Sequence, residues 1–412
     1  FSWADTVPRL AEVFRSARHL SMSSDLPPAK TDTASPAALR AATVKRVERA
    51  IAELRRGGQV LVRNRDRESA GILMAAEMVT PASLPGLTRA AGSRPTLVLT
   101  ARRAAALKPG QPVGSVESLA LPASADPDFV RRLADPTAGP APALSKAVAI
   151  LPEPEDGLAA SALALVKQAR LIPAALLARL AYADTERVAA TASESDLVLV
   201  EAAEIAAYPA LAAARLTLAA EARVPLADIE DARLVAFRPP DGGVEHIAIL
   251  IGSPETEIAE GRPVLVRLHS QCFTGDLLGS LRCDCGDQLR GAIRAIAEQG
   301  AGILLYLAQE GRDIGLVNKL RAYQLQDLGL DTVDANEHLG FDADERAFAP
   351  AAEMLHQLGA ARVRLLTNNP EKVEGLSRHG IEVTERVAHA FPSNSHNEAY
   401  LKTKAKRSRH MF

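Results

Sequence analysis

Apolar positions recur along this chain at two spacings, and the alternation between them outlines its elements. Val47, Ile51 and Leu54 fall at i, i+4 and i+7, so they predict one face of a helix. Gly57-Gly58 would stop that helix, and Val60-Leu61-Val62 then reads as a buried strand. Ala147–Pro152 and Asp196–Val200 predict further strands, each bordered by alanine-rich helical segments. Later in the chain, Val264–Leu268 predicts a strand and Gln288–Glu298 a helix that places Leu289, Ile293 and Ile296 on one face. Ile303–Leu307 predicts a strand, Leu316 to about Leu328 a helix, and Val363–Leu366 a strand ending in Thr367-Asn368-Asn369. Pro370 suits the first position of a helix and Gly380 its C-terminal cap. Strands alternating with helices define an α/β (α+β) chain whose loops carry the site.

Composition adds boundaries. At 412 residues the chain exceeds the usual size of one domain, so two are expected. Residues 1–40 are expected to be disordered or an extension, because 21–40 are rich in Ser, Thr, Pro and Ala. Residues 41–217 form one expected domain and 218–412 the other. Met22 is a candidate native start, with residues 1–21 lying upstream of it. Arg9, Arg15 and Arg18 interrupt any signal-peptide core in Phe1–Leu20, and Asp5 and Glu12 count against a transit peptide.

Charge and cysteine usage exclude several classes. The formal net charge of −2 gives no overall basic field for a nucleic-acid polymer. The basic tail of Lys402, Lys404, Lys406, Arg407 and Arg409 reads as a solvated terminus. No apolar run approaches the ~20 residues of a membrane span. Three cysteines, an odd number, argue against a disulfide framework and for a reduced, cytoplasmic setting.

Candidate chemistry gathers in the second half, where eight of the nine histidines and all three cysteines fall. Cys283 and Cys285 are separated by one residue and Cys272 lies eleven earlier, with Gly275 and Gly279 to let the chain loop back. Thiolates at this density favour zinc, and three of them would leave a fourth tetrahedral position to water. Two other readings stay open: His269 could complete a closed structural site, or the cysteines could be small buried residues. Arg267, Arg282, Arg312, Lys319, Arg321, Arg346 and Lys372 lie in or beside glycine-containing turns, as a polyanion site needs. Glu310-Gly-Arg-Asp-Ile-Gly315 follows a strand and opens a helix, where backbone N–H groups receive phosphate. Asp344 beside Arg346 has the makings of a proton acceptor, although an exposed pair in an acidic surface turn is the plainer reading. Tyr323 shares a helix face with Leu316 and Leu320 and reads first as a core tyrosine whose hydroxyl could reach the site.

These residues fall in an ordered set of motifs. They are Arg267-Leu-His-Ser-Gln-Cys-Phe-Thr-Gly-Asp276, Ser280-Leu-Arg-Cys-Asp-Cys-Gly286, Gln309-Glu-Gly-Arg-Asp-Ile-Gly-Leu316, Ala322-Tyr-Gln-Leu-Gln-Asp327, Asp331-Thr-Val-Asp-Ala-Asn336, Asp344-Glu-Arg346, Arg364-Leu-Leu-Thr-Asn-Asn-Pro-Glu-Lys372 and Tyr400-Leu-Lys-Thr-Lys404. Along 218–412 the sequence closely resembles GTP cyclohydrolase II. That resemblance implies a mixed sheet with helices and zinc on Cys272, Cys283 and Cys285. It places GTP, with Mg2+ on its phosphates, against Arg267, Leu268, His269, Ser270, Gln271, Gln288, Glu310, Gly311, Arg312, Thr332, Thr367 and Lys372. It also makes Asp344 the proton acceptor, Arg346 the group acting at pyrophosphate release, Tyr323 the residue tied to the second hydrolysis, and the assembly a homodimer. A guanidinium of pKa above ~12 suits clamping phosphate better than nucleophilic attack.

Residues 41–217 weakly resemble 3,4-dihydroxy-2-butanone 4-phosphate synthase. The trace is Val47-Glu-Arg-Ala-Ile-Ala-Glu-Leu-Arg-Arg-Gly57 and Asp66-Arg-Glu-Ser-Ala-Gly-Ile72. Glu68 survives from that family's acidic loop, but Ala70 and Ile72 replace two carboxylates, and the segment has no histidine. A degenerate, non-catalytic α/β domain is therefore expected, kept for folding, dimerisation or regulation.

Overall fold

The computed structural model describes residues 35–107, 114–142 and 150–389. The basic tail and the Tyr400–Lys404 motif lie outside the described residues. Most of the segment expected to lack order does too, but its end does not: helix α1 starts at Pro36 and runs to Arg55 (Pro36–Arg55). Proline at the start of a helix sacrifices no hydrogen bond, and the alanines after it favour helix. Val47, Ile51 and Leu54 form its buried face, as their spacing predicts.

Two sheets organise the described residues. The first comprises β1 (Val60–Asn64), β2 (Ser69–Ala75), β3 (Thr96–Thr100), β4 (Val116–Ala120), β5 (Ile150–Pro152), β6 (Ala174–Arg179) and β7 (Val198–Glu201). Its order is β5-β4-β3-β6-β2-β1-β7. All its pairs are antiparallel except β1 with β7. α1 and helix α2 (Leu158–Gln168) cover one face, burying Leu54, Leu158 and Leu165 against Val60, Val62 and Leu177.

The second sheet contains β8 (Thr217–Arg223), β9 (Ala232–Arg238), β10 (His246–Ile251), β11 (Val264–Ser270), β12 (Gly302–Leu307), β13 (Arg362–Leu366) and β14 (Glu382–Val387). It runs β14-β13-β11-β12-β10-β9-β8 and is mixed. β14, β13, β11 and β12 are parallel, whereas β12, β10, β9 and β8 pair antiparallel. β11 and β12 are nearly continuous apolar runs because both faces are covered. Leu265, Leu304 and Leu366 pack with Ile296 of helix α3 (Cys285–Glu298). Val264, Val266 and Leu268 face the opposite side, towards Met354 and Leu355 of another helix (Ala349–Gln357). Each leucine or valine so buried contributes about 1.5–3 kcal/mol.

This topology places the site. β11, β12 and β13 are parallel neighbours, so their carboxyl ends open on one edge of the sheet, where open α/β sheets bind ligands. From that edge the chain enters α3, helix α4 (Leu316–Asp327), helix α5 (Thr332–Leu339) and helix α6 (Pro370–Arg378). Asn369 caps α6 by accepting from the Glu371 N–H at 2.9 Å, and Gly380 follows its end at φ 82°.

Candidate active site

Three short segments bring the cysteines together. Cys272 lies just beyond β11, residues Phe273–Leu277 make a tight π-type turn, and Cys285 opens α3. The three Sγ atoms lie within 4.8 Å of one another, and those of Cys272 and Cys283 are 3.7 Å apart. Gly275 is the inside of the turn: a Cβ there would sit 2.6 Å from Cys283 Sγ and 2.9 Å from Cys285 Cβ. Hydrogen bonds from Cys283 and Cys285, assisted by Lys319, hold Cys272 far below the usual thiol range. Sharing with Cys272 pushes Cys283 up to about 11 and raises Cys285 as well. Sulfurs this close, competing for protons, are what one soft cation would satisfy, so the donor set fits zinc.

His269 does not complete that set. It is buried on β11, its Nε2 lies 3.1 Å from Asp276 Oδ1, and its ring stacks on Tyr306. Tyr306 donates its hydroxyl to Asp276 at 2.9 Å, and the Cys272 N–H donates to the same carboxylate at 2.9 Å. Asp276 therefore ties the histidine to the cysteine turn. Glu310 holds the other side, accepting from the Phe273 N–H at 2.6 Å and from Lys319 Nζ at 2.8 Å. Lys319 also reaches Cys272 Sγ at 3.0 Å and Thr274 Oγ1 at 2.9 Å.

A cavity opens beside the sulfurs. Its wall includes Arg267, His269, Ser270, Gln271, Gln288, Gly311, Arg312, Thr332, Thr367, Lys372, Tyr323 and Arg346 together with the three cysteines. Arg267 is buried, donating to Leu366 O at 2.9 Å and Gln288 Oε1 at 2.6 Å, and its Nε has no hydrogen-bond partner among the described residues. Burial pulls this guanidinium down to about 10. Lys372 donates to Leu268 O at 2.7 Å from the first turn of α6. Tyr323 is not a core residue. Its hydroxyl lies 3.4 Å from Thr274 Oγ1 and the Arg282 guanidinium sits 5.0 Å from its ring centre.

The pair at 344 and 346 is also not the exposed pair that sequence favours. Arg346 Nε donates to Asp344 Oδ1 at 2.8 Å, and the two side chains are only 10% and 20% exposed. Burial works to raise the Asp344 carboxyl, but Arg346 and Arg312 outweigh it and hold it below its usual value.

Three expected site residues stand behind the wall. Leu268 packs its side chain into the core and offers only its carbonyl, Glu310 braces the cysteine turn, and Asp344 backs Arg346. Arg321 leaves the basic cluster altogether. It sits on the far side of α4, pairing with Glu77 at 2.7 Å and Asp135 at 3.0 Å. Asn336, Asn368, Gln326 and His389 line the cavity without having been expected to. The spacing of Asn336 from Thr332, one helical turn along α5, was a signal that could have found it.

In the first sheet, Ala70 and Ile72 are buried in the core, and Glu68 projects from an exposed turn between β1 and β2.

Fold and site together define a class: α/β proteins with a three-cysteine cluster able to hold a metal ion beside an arginine- and lysine-walled cavity. A family profile described as GTP cyclohydrolase II matches residues 217–388. A GTP cyclohydrolase-2 of Azospirillum brasilense is 51% identical over 388 residues, covering 93% of this chain and 99% of that protein. The riboflavin biosynthesis protein RibBA of Phocaeicola vulgatus is 36% identical over 397 residues, covering 88% of this chain and 96% of its own. A GTP cyclohydrolase-2 of Pseudomonas aeruginosa (strain LESB58) is 56% identical over 176 residues, 43% of this chain and 84% of that one. Among solved structures, a two-domain 3,4-dihydroxy-2-butanone 4-phosphate synthase from A. baumannii aligns over 84% of this chain at 16% identity and a TM-score of 0.35. The chain belongs to the GTP cyclohydrolase II family of enzymes.

Proposed function

We propose that this chain hydrolyses GTP to 2,5-diamino-6-ribosylamino-4(3H)-pyrimidinone 5′-phosphate, formate and pyrophosphate, the first step of riboflavin biosynthesis. The observation that carries this reading is the three-thiolate cluster in the wall of a cavity that also presents Arg267, Arg312, Arg346 and Lys372. Cys272, Cys283 and Cys285 would hold zinc, whose Lewis acidity makes water a nucleophile near neutral pH. The cations would receive the triphosphate, which arrives with Mg2+ as part of the substrate. Ser270, Gln271, Gln288, Gly311, Thr332 and Thr367 would orient the nucleotide so that guanine C8 faces the cluster. Asp344, ionised at neutral pH, would accept a proton beside Arg346, which would clamp the departing pyrophosphate. Tyr323 would hold the opened formamide for the second hydrolysis.

Supporting context is simpler. No helix among the described residues is long and apolar enough to cross a membrane, and the free thiols suit the cytoplasm. Exposed Leu277, Leu278 and Leu281 offer a second copy apolar surface in a homodimer. The segment 41–217 would carry no synthase chemistry, since apolar Ala70 and Ile72 occupy the core where that chemistry needs carboxylates.

Mass spectrometry of GTP incubated with the protein and magnesium, with and without a zinc chelator, tests the reading. Chelator-sensitive formate, pyrophosphate and the pyrimidinone phosphate are expected. Unchanged turnover after complete removal of zinc would sink it. Cys283→Ser should abolish ring opening, whereas Tyr323→Phe should let the formylated compound accumulate.

A further inference from the structure

Two loops carry cavity-lining groups that the proposed reaction assigns to phosphate: residues 308–315 with Gly311 and Arg312, and residues 341–347 with Arg346. They are joined to each other. Arg312 donates to Ala343 O at 2.8 Å, and the Glu345 N–H donates to Arg312 O at 3.3 Å. Arg312 and Asp313 hold φ at 61° and 75°, a left-handed conformation that side chains rarely adopt and that needs support from outside the loop.

That support comes from the end of α2, in the first-sheet half of the chain. Lys167, in its last turn, places Nζ 2.8 Å from Asp342 Oδ2 and 2.7 Å from Glu345 Oε1. Arg170, two residues past the helix, donates to Ala308 O at 2.9 Å and to Asp313 Oδ1 at 2.8 Å. Its carbonyl accepts from Asn318 Nδ2 of α4 at 3.0 Å, and its side chain packs beside Gly315, whose φ of 85° favours glycine. Arg170 itself is left-handed, at φ 57°. Two cations from one helix end thus grip both loops on the side away from the cavity.

We infer that Lys167 and Arg170 are positioning residues for GTP turnover, and that the first-sheet half serves the second as a fixed brace for its phosphate-binding loops. This inference rests on the proposed cyclohydrolase reaction. Neither side chain lines the cavity, so both act through Arg312, Asp344 and Arg346. Losing the grip lets these groups drift from the triphosphate, while the zinc turn keeps its anchors on β11 and α3 and the direct bonds of Glu310 to Phe273 and Lys319. Misplacement by about 1 Å costs on the order of tenfold to a hundredfold in such sites.

The experiment uses the full chain. Lys167→Ala, Arg170→Ala and the double variant are compared with Lys167→Arg and with Arg67→Ala, which removes an exposed ion pair to Asp156 that touches neither loop. Zinc content, melting temperature, kcat and KM for GTP are measured, and pyrophosphate is quantified against formate. The double variant should raise KM about tenfold and lower the pyrophosphate-to-formate ratio, with zinc content and melting temperature close to those of Arg67→Ala. Lys167→Arg should recover KM to within about threefold of wild type. Wild-type KM and product ratio in the double variant would overturn the brace. So would a joint loss of zinc, kcat and melting temperature that Lys167→Arg fails to repair, since that is general destabilisation. A wild-type protein that leaves GTP intact would remove the functional reading, and this inference with it.

Discussion

Gly275 sits where an added methyl group would meet all three cysteines, at 2.6, 2.9 and 3.0 Å. Gly275→Ala should therefore spread the sulfurs, lowering zinc per chain and destabilising the fold by about 1–3 kcal/mol, which metal analysis and chemical denaturation would read together. His246 makes a second residue-scale prediction. Its Nδ1 accepts from the Ala308 N–H at 2.9 Å, and burial, with Arg170 adding to it, lowers its pKa to about 4. The neutral ring is the stabilising form, so its contribution is complete above the unfolded value of about 6.5 and is lost as pH falls from there towards 4. Melting curves between pH 7 and pH 4 should fall more steeply for wild type than for His246→Gln, by a difference on the order of 3 kcal/mol. At this scale the sequence spoke clearly where spacing and residue type coincide, as with the three cysteines, and misled at Asp344 and Arg346, whose pair is buried where an exposed one was the plainer reading. It was silent on Asp276, because a carboxylate in a turn has the same local pattern whether solvated or, as here, gripping a histidine, a tyrosine and a backbone N–H.

Helix α5 shows what an element contributes. Asp331 caps it, accepting from the Val333 and Asp334 N–H groups at 2.8 Å each, and Thr332 and Asn336 then face the cavity. Asp331→Ala should cost about 1 kcal/mol and raise KM for GTP, measured by denaturation and steady-state kinetics. Most elements were legible from periodicity. Strands β11, β12 and β13 and helix α4 lie where hydrophobic spacing puts them and α6 where Pro370 and Gly380 put it, with ends shifted by one or two residues, whereas α1 starts at Pro36, inside the segment expected to lack order. α3 begins at Cys285, three residues before the expected start at Gln288, because the cysteine turn and not the core fixes its first turn. The mixed direction of the second sheet left no mark in any strand. Antiparallel β10 and parallel β11 are both largely apolar in sequence, although β10 alternates buried and half-buried positions where β11 is buried almost throughout.

For the whole molecule, the least legible contacts join its two sheets' halves. Arg321 looked like one more phosphate cation, since it follows Lys319 by two residues. On a helix those two positions point apart, and Arg321 meets Glu77 and Asp135 from far earlier in the chain. Arg321→Leu would strand two largely buried carboxylates and should cost about 3 kcal/mol by scanning calorimetry. The Lys167 and Arg170 contacts have a historical corollary. The Pseudomonas relative matches only 43% of this chain yet contributes 84% of its own length, so a much shorter protein of the family exists. A cyclohydrolase half that leans on its neighbour in the inferred way would lose GTP turnover if it were inherited by itself. Selection for GTP turnover would then preserve the end of α2 as strictly as the cavity, whatever else in the neighbouring half drifted.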